Sequence, residues 1–149
     1  MLAIVNPLEQ FNKAADSRRK ADLGQIQKAL ESYYQDHGRY PYMYKDGNIS
    51  KITKTGTTQG GTSAGVVTWG SDFRPYMDVL PIDQKKAKSY GYWSDPATGQ
   101  EYALYASLDR GGKDPQACNH GNICTNASVH AIVCGGVCNY GVSSPNIAP

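Results

Sequence analysis

From Leu8 to His37 the apolar residues recur at helical spacing. At about 100° per residue, Leu8, Phe11, Ala15, Leu23, Ile26, Leu30, Tyr33 and His37 fall in one stripe, with Lys13, Ser17, Lys20, Gly24, Lys28, Glu31 and Gln35 opposite. Glu9–Lys13 and Asp16–Lys20 have the favourable i,i+4 order of acid before base. The pattern predicts one long amphipathic helix in the stretch Pro7–Tyr40, ending at His37-Gly38, where glycine suits a left-handed cap and Pro41 blocks continuation. At a helical rise it would be roughly 45 Å long. The stripe is clean from Leu23 onward, but Arg19 and Asp22 sit inside it before that point. The second half is therefore expected to pack on the protein's own core. The first half, with Leu8, Phe11, Ala15, Arg18, Arg19 and Asp22, is expected to project toward a partner.

Beyond the helix the period changes. Lys45-Asp46-Gly47-Asn48 is a turn signal, and Ile52–Gly65 is rich in Thr, Gly and Ser without a sustained period, as in a surface loop. A short strand is expected at Val66–Trp69. Ser71-Asp72 are expected to cap a short helix, Phe73–Leu80, with Pro75 in its first turn and Pro81 as its stop. Tyr90–Trp93 and Glu101–Leu108 flank Asp95-Pro96-Ala97-Thr98-Gly99 and read as a β-hairpin. Tyr102, Leu104, Ala106 and Leu108 alternate with Ala103, Tyr105 and Ser107, so one sheet face is expected to lie on the helix. Val137–Val142 is a candidate last strand. The expected class is α+β: a long N-terminal helix packed on a small antiparallel sheet, with a disulfide-stapled C-terminal loop. Its head core would contain Leu23, Ile26, Leu30, Tyr33, Tyr102, Leu104 and Leu108. The expected layout is one domain, with a spine helix (1–38), a helix-to-sheet connection holding the short helix (39–88), the hairpin (89–110) and a cysteine-containing segment (111–149).

Composition narrows the field. A chain of 149 residues can build one modest core, and a formal net charge of +2 is too small to argue for nucleic acid by itself. No window holds the roughly 18 apolar residues of a membrane span. The opening Met1-Leu2-Ala3-Ile4-Val5 reads as the end of a longer apolar segment. All four cysteines lie between Cys118 and Cys138, which favours disulfides and an extracytoplasmic setting. Three pairings exist for four cysteines. Short loops close readily and Gly135-Gly136 permits a tight bend, favouring Cys118–Cys124 with Cys134–Cys138 while the crossed pairings stay open. Drawn instead as a zinc site, Cys118, His120, Cys124, His130, Cys134 and Cys138 lack the paired C-x2-C knuckles of zinc ribbons.

Other chemistry is weaker. Gly61-Thr62-Ser63-Ala64-Gly65 matches a nucleophile elbow, but the preceding Lys54–Gly60 is no buried strand, so Ser63 reads as a loop residue. Gly56–Thr62 lacks the lysine of a phosphate loop. His37 is expected to meet the last helix carbonyls. Arg18-Arg19-Lys20 reads as a solvated helix face, and the tyrosines of Tyr33-Tyr34 and Tyr40-Pro41-Tyr42 as core and rim.

Several short stretches, taken in order, carry a resemblance. They are Ala21-Asp22-Leu23, Ile26-Gln27-Lys28-Ala29-Leu30, Tyr33-Tyr34-Gln35-Asp36 and Gly38-Arg39-Tyr40-Pro41. Then follow Tyr76-Met77, Leu80-Pro81-Ile82-Asp83, Tyr90-Gly91-Tyr92 and Gly99-Gln100-Glu101-Tyr102-Ala103-Leu104. With this order of elements the chain resembles the type IV pilin-like family, especially the major pseudopilins of type II secretion systems. The resemblance implies a pilin-like fold and a non-enzymatic subunit. Its long helix, half buried in a head, would assemble with copies of itself into a helical filament. It implies further partners, namely other pilins or pseudopilins and an inner-membrane assembly platform. It also implies a cell-surface filament or periplasmic pseudopilus, anchored in the membrane before assembly through a hydrophobic N-terminal segment. The family's prepilin-peptidase motif and glutamate have no counterpart in this sequence. Leu8, Phe11, Ala15, Arg18, Arg19 and Asp22 would serve filament contacts. No cofactor is expected, although the family's secretion branch often holds calcium in a C-terminal loop, for which Asp109 and Asp114 are the candidate carboxylates beside Arg110 and Lys113. Two other function classes compete. One is a surface adhesive or DNA-binding minor pilin, motivated by the aromatic and basic residues of Tyr40–Lys54. The other is a small secreted serine hydrolase using Ser63.

Overall fold

The computed structural model describes residues 6–46, 49–53, 66–130 and 134–149. Helix α1 runs from Pro7 to His37. Its start is set by Asn6, whose side chain accepts the Leu8 N–H at 3.1 Å, and by Pro7 in the first position, where a missing donor costs nothing. Its stop is Gly38, left-handed at φ 70°, whose N–H donates to the Tyr34 carbonyl at 2.7 Å.

Among the described residues, two antiparallel sheets of three strands each follow. The first joins β1 (Tyr42–Asp46), β2 (Ile49–Thr53) and β3 (Val66–Val67) in that order. The second joins β4 (Gly91–Ser94), β5 (Tyr102–Ala106) and β6 (Tyr140–Ser143). The β4–β5 hairpin and a final strand were expected, though β6 begins at Tyr140 rather than Val137. The β1–β2 hairpin flanks the turn read at Lys45–Asn48, but its strands were not expected, and β2 runs into the start of the loop read over Ile52–Gly65. Its register pairs Asp46 with Ile49. The turn signal was legible, while the polar composition of Ser50–Thr53 hid the strand beside it. Met1–Val5 and residues 54–65, with the glycine-rich run and Ser63, lie outside the described residues.

The centre of the head is β5, in which every residue is buried. Tyr102, Leu104 and Ala106 join Leu23, Ile26, Leu30 and Tyr33 of α1 in one apolar cluster. Ala103 and Tyr105 point the other way, into a second cluster with Cys124, Ala127, Cys134 and Cys138. The period-2 alternation thus serves two faces, because the cysteine segment covers the side of β5 away from the helix. Two disulfides, Cys118–Cys124 and Cys134–Cys138, staple that cover. All four cysteines are consumed by them, so the zinc arrangement has no thiolates left. Within the cover lie a turn of 3-10 helix at Gly111–Lys113, another at Cys118–Gly121, and a short helix α2 at Thr125–His130.

The helix expected over Phe73–Leu80 does not form. Phe73 and Met77 exchange backbone hydrogen bonds across a tight turn, and Arg74–Pro75 is cis. Asp72 accepts the Arg74 N–H in an Asx turn instead of capping a helix. Tertiary anchoring decides the outcome. Phe73 is wholly buried and Tyr76 packs on Tyr33, while Gly70 and Leu80 bond each other's neighbourhood through Gly70 N–H to Leu80 O and Leu80 N–H to Ser71 O.

Candidate functional site

The two residues that interrupt the apolar stripe are buried in this chain's own head, not displayed to a partner: Arg19 is 2% exposed and Asp22 is 8% exposed. The Arg19 guanidinium forks onto Asp83, with Nε at 2.7 Å and Nη2 at 3.0 Å from its two oxygens. Its Nη1 donates to Asp16 at 2.8 Å and to Asp109 at 2.9 Å. Asp109 also receives Lys85 and Lys88, each at 2.7 Å. Asp16 accepts the backbone N–H groups of Asp109 at 2.8 Å and Arg110 at 2.9 Å, tying the loop after β5 to the spine. Three cations thus meet three carboxylates, and the cluster is balanced. One turn on, the Tyr90 hydroxyl donates to Asp22 at 2.6 Å. This corrects the expectation that Arg19 and Asp22 belong to a projecting assembly surface. Apart from Asp16, the partners lie far away in sequence, at Asp83, Tyr90 and Asp109, where a helical wheel has no view of them.

Further ties follow the helix downward. Lys20 reaches Asp114 at 2.5 Å and Gln116 at 2.7 Å. Glu9 takes Arg110 at 3.1 Å and Lys113 at 3.2 Å. Asn139 clamps the same loop from the sheet side: its Oδ1 accepts the Leu108 N–H at 2.7 Å, and its Nδ2 donates to the Leu108 carbonyl at 3.3 Å. The carboxylates considered for calcium, Asp109 and Asp114, thus face the protein's own ammonium and guanidinium groups. Among the described residues no group of His, Cys, Asp and Glu is placed to hold a metal ion.

The electrostatics follow the geometry. Burial alone would raise the Asp109 pKa, but hydrogen bonds from Lys85, Lys88 and Arg19 outweigh it and hold the carboxyl well below its usual range. Burial would likewise raise Asp114, and Lys20 outweighs it. Burial would lower the Arg19 pKa; its bonds to Asp83 and Asp109 raise it instead. Burial pushes the Tyr90 phenol well up, and its bond to Asp22 adds to this. For a carboxyl whose folded pKa is depressed, the stabilisation is complete above the unfolded value near 4 and disappears as pH falls toward the folded value. Thermal melts from pH 7 to pH 2 should therefore hold a plateau down to about pH 4 and then fall. In Asp109→Asn the neutral-pH plateau is lower and the acid slope shallower; an unchanged slope would show that Asp109 is not part of the acid response.

At the base of the helix the picture inverts. Leu8 is 67% exposed and Phe11 73% exposed, the two most exposed large apolar side chains among the described residues. Leu8 lies at the same wheel angle as Ile26, so it continues the stripe that higher up is core. Ala15 is half-buried, and the Arg18 side chain is 60% exposed with its Nε 4.0 Å from Asp22. A shallow cleft of about 390 Å³ opens beside Leu8 and Asn12, closed on its far side by Arg110, Gly112 and Lys113. By contrast Leu23, Ile26, Leu30, Tyr33, Tyr102, Leu104 and Leu108 are all buried in the head. His37 does not cap the helix carbonyls: its ring stacks on Tyr33 at 4.1 Å and its Nε2 lies 2.9 Å from the Tyr76 hydroxyl, which donates to Asp36 at 3.0 Å. The Tyr34 carbonyl is already taken by Gly38.

The ionic groups around Arg19 are spent on one another, while Leu8 and Phe11 remain exposed. The two disulfides fit an oxidising, extracytoplasmic setting. Among the described residues no helix is long and apolar enough to cross a membrane. Comparison with protein-family models, with curated proteins and with solved structures finds no match.

Proposed function

We propose that this chain is a structural, non-enzymatic subunit of a pilin or pseudopilin filament, with a pilin-like fold. The observation that carries the reading is the split of one helical stripe. From Leu23 to Tyr33 it is buried in the head, and at Leu8 and Phe11 the same helix presents apolar side chains to solvent. Exposed large apolar groups in line with a core stripe mark an interaction surface. The spine, anchored in the membrane before assembly, packs against copies of itself and against other pilins or pseudopilins on an inner-membrane assembly platform. The product is a cell-surface filament or a periplasmic pseudopilus. In this reading the Arg19 cluster has a defined mechanical role: it locks the spine to the head, so that force along the filament passes from helix to head through ion pairs and not through the apolar core alone.

The test is Leu8→Asp together with Phe11→Asp in cells expressing the complete reading frame. Filament yield should fall to background. The isolated chain's melting temperature should be unchanged, because neither side chain is part of the folded core. Wild-type filament yield from the double variant would overturn the reading.

A further inference from the structure

At the base of the spine the charges do not cancel. Higher up they do: the Arg19 cluster is balanced, and beside it Arg18 faces Asp22 and Lys20 faces Asp114. Level with Leu8 and Phe11, three cations, Lys13, Arg110 and Lys113, stand against one acid, Glu9, which Arg110 and Lys113 share. Lys13 is exposed and has no ion-pair partner among the described residues, and the Lys113 side chain is 68% exposed. Arg110 spends Nη2 on Glu9, while its Nε finds no acceptor among the described residues. These cations lie together. Lys13, Arg110 and Lys113 line one groove of about 220 Å³ beside α1, and Arg110 and Lys113 also wall the cleft at Leu8. The surplus of two positive charges therefore borders the two most exposed large apolar side chains among the described residues. Together they form a foot, built from the first turns of α1 and the 3-10 turn Gly111–Lys113. Glu9, held between Arg110 and Lys113, ties that turn to the helix, so the foot is presented as one surface.

We infer that this foot rests on an anionic lipid surface before the chain enters a filament, with Leu8 and Phe11 in the boundary between headgroups and acyl chains and Lys13, Arg110 and Lys113 on lipid phosphates. Leucine and phenylalanine beside a surplus of lysine and arginine suit a membrane interface: the apolar side chains leave water while the cations stay with the headgroups. The long stems of Lys13 and Lys113 let their ammonium groups reach outward from the level of the apolar pair. A second copy meeting the foot with its own foot would bring like charges together. Two surplus cations around an apolar centre are too few for a nucleic acid, which is held by cations over many phosphates. This rests on the filament reading above for membrane attachment before assembly, and adds what covers Leu8 and Phe11 until a neighbouring copy does.

The experiment mixes the chain Met1–Pro149 with vesicles of phosphatidylethanolamine and phosphatidylglycerol, or of phosphatidylcholine alone. Binding is read by flotation and by amide NMR line broadening from a headgroup-spin-labelled lipid. The chain should bind the phosphatidylglycerol vesicles, release them as salt is raised, and show broadening centred on Leu8–Lys13 and Arg110–Lys113. Lys13→Gln with Lys113→Gln should weaken binding roughly thirtyfold, about fivefold per cation. Phe11→Ser should weaken it about tenfold or more. Lys28→Gln removes the same charge from an exposed site roughly 26 Å up the spine, beyond two screening lengths of about 10 Å at 0.1 M salt, and should leave binding unchanged. No binding to phosphatidylglycerol vesicles, equal binding to phosphatidylcholine, or an equal loss in Lys28→Gln would overturn the lipid contact. Shifts at these residues that grow with protein concentration and not with lipid would assign the foot to a second copy and overturn it too. Filament yield is scored separately. Vesicle binding that fails while filaments still depend on Leu8 and Phe11 overturns the lipid contact alone; wild-type filament yield from Leu8→Asp with Phe11→Asp overturns the filament reading.

Discussion

Replacing Arg19 by leucine should cost roughly 3–5 kcal/mol of folding stability, the loss seen when one partner of a buried ionic cluster is removed. The reason lies in the charge count. Without Arg19, three carboxylates, Asp16, Asp83 and Asp109, are left facing two ammonium groups, Lys85 and Lys88. Asp83 loses both arms of its fork, and its side chain is 1% exposed, so water cannot take their place. For a domain whose total stability is about 5–15 kcal/mol, this is a fifth or more of what holds it together. Lysine at position 19 restores the charge without the planar fork and should recover only part of the loss. Pairing Arg19→Leu with Asp83→Leu should also recover part of it, because the second change removes one unpaired charge. Urea unfolding followed by tyrosine and tryptophan fluorescence measures all three. A loss below about 1 kcal/mol for Arg19→Leu, the range of solvent-exposed pairs, would show that the cluster does not hold the spine.

Phe73→Ala should be nearly as damaging, at about 3–5 kcal/mol for a fully enclosed aromatic side chain. Phe73 has no exposed surface and stacks over Tyr33 at 6.2 Å, so its removal leaves a hole between the turn and the spine. Were the segment a solvent-facing helix, the same change would cost little, since alanine is the better helix former. The stability loss therefore discriminates between the anchored turn and the helix read from Ser71-Asp72 and Pro81. It should be accompanied by faster amide exchange at Leu80, whose N–H is held by the Ser71 carbonyl at 2.8 Å. A cost under about 1 kcal/mol would contradict the anchored turn.

The parts of this fold legible in the sequence are those governed by local chemistry. Gly38 and Pro41 mark the end of α1, and the alternation from Tyr102 to Leu108 marks β5. Short loops and a glycine bend favoured the disulfide pairing that forms, without excluding the crossed ones. What was not legible depends on partners distant in the chain. Arg19 and Asp22 look like flaws in an apolar stripe until Asp83, Tyr90 and Asp109 arrive from the head to meet them. The turn at Phe73–Met77 carries a respectable helix cap and stop, yet the burial of one phenylalanine outweighs both. Leu8 and Phe11 were legible as apolar positions beyond the clean part of the stripe. The exposure of Val79 was not legible either, because it reads as part of a short helix until the turn exposes it.

The claim on which the rest depends is that the base of α1 is a contact between copies. Electron cryomicroscopy of filaments sheared from cells expressing the complete reading frame tests it most directly. The account predicts helical filaments in which α1 lines the inside, the β5-centred head faces out, and the side chains of Leu8 and Phe11 are enclosed by a neighbouring copy. Filaments in which Phe11 still faces solvent, or surface material that contains no helical array of this chain, would contradict it.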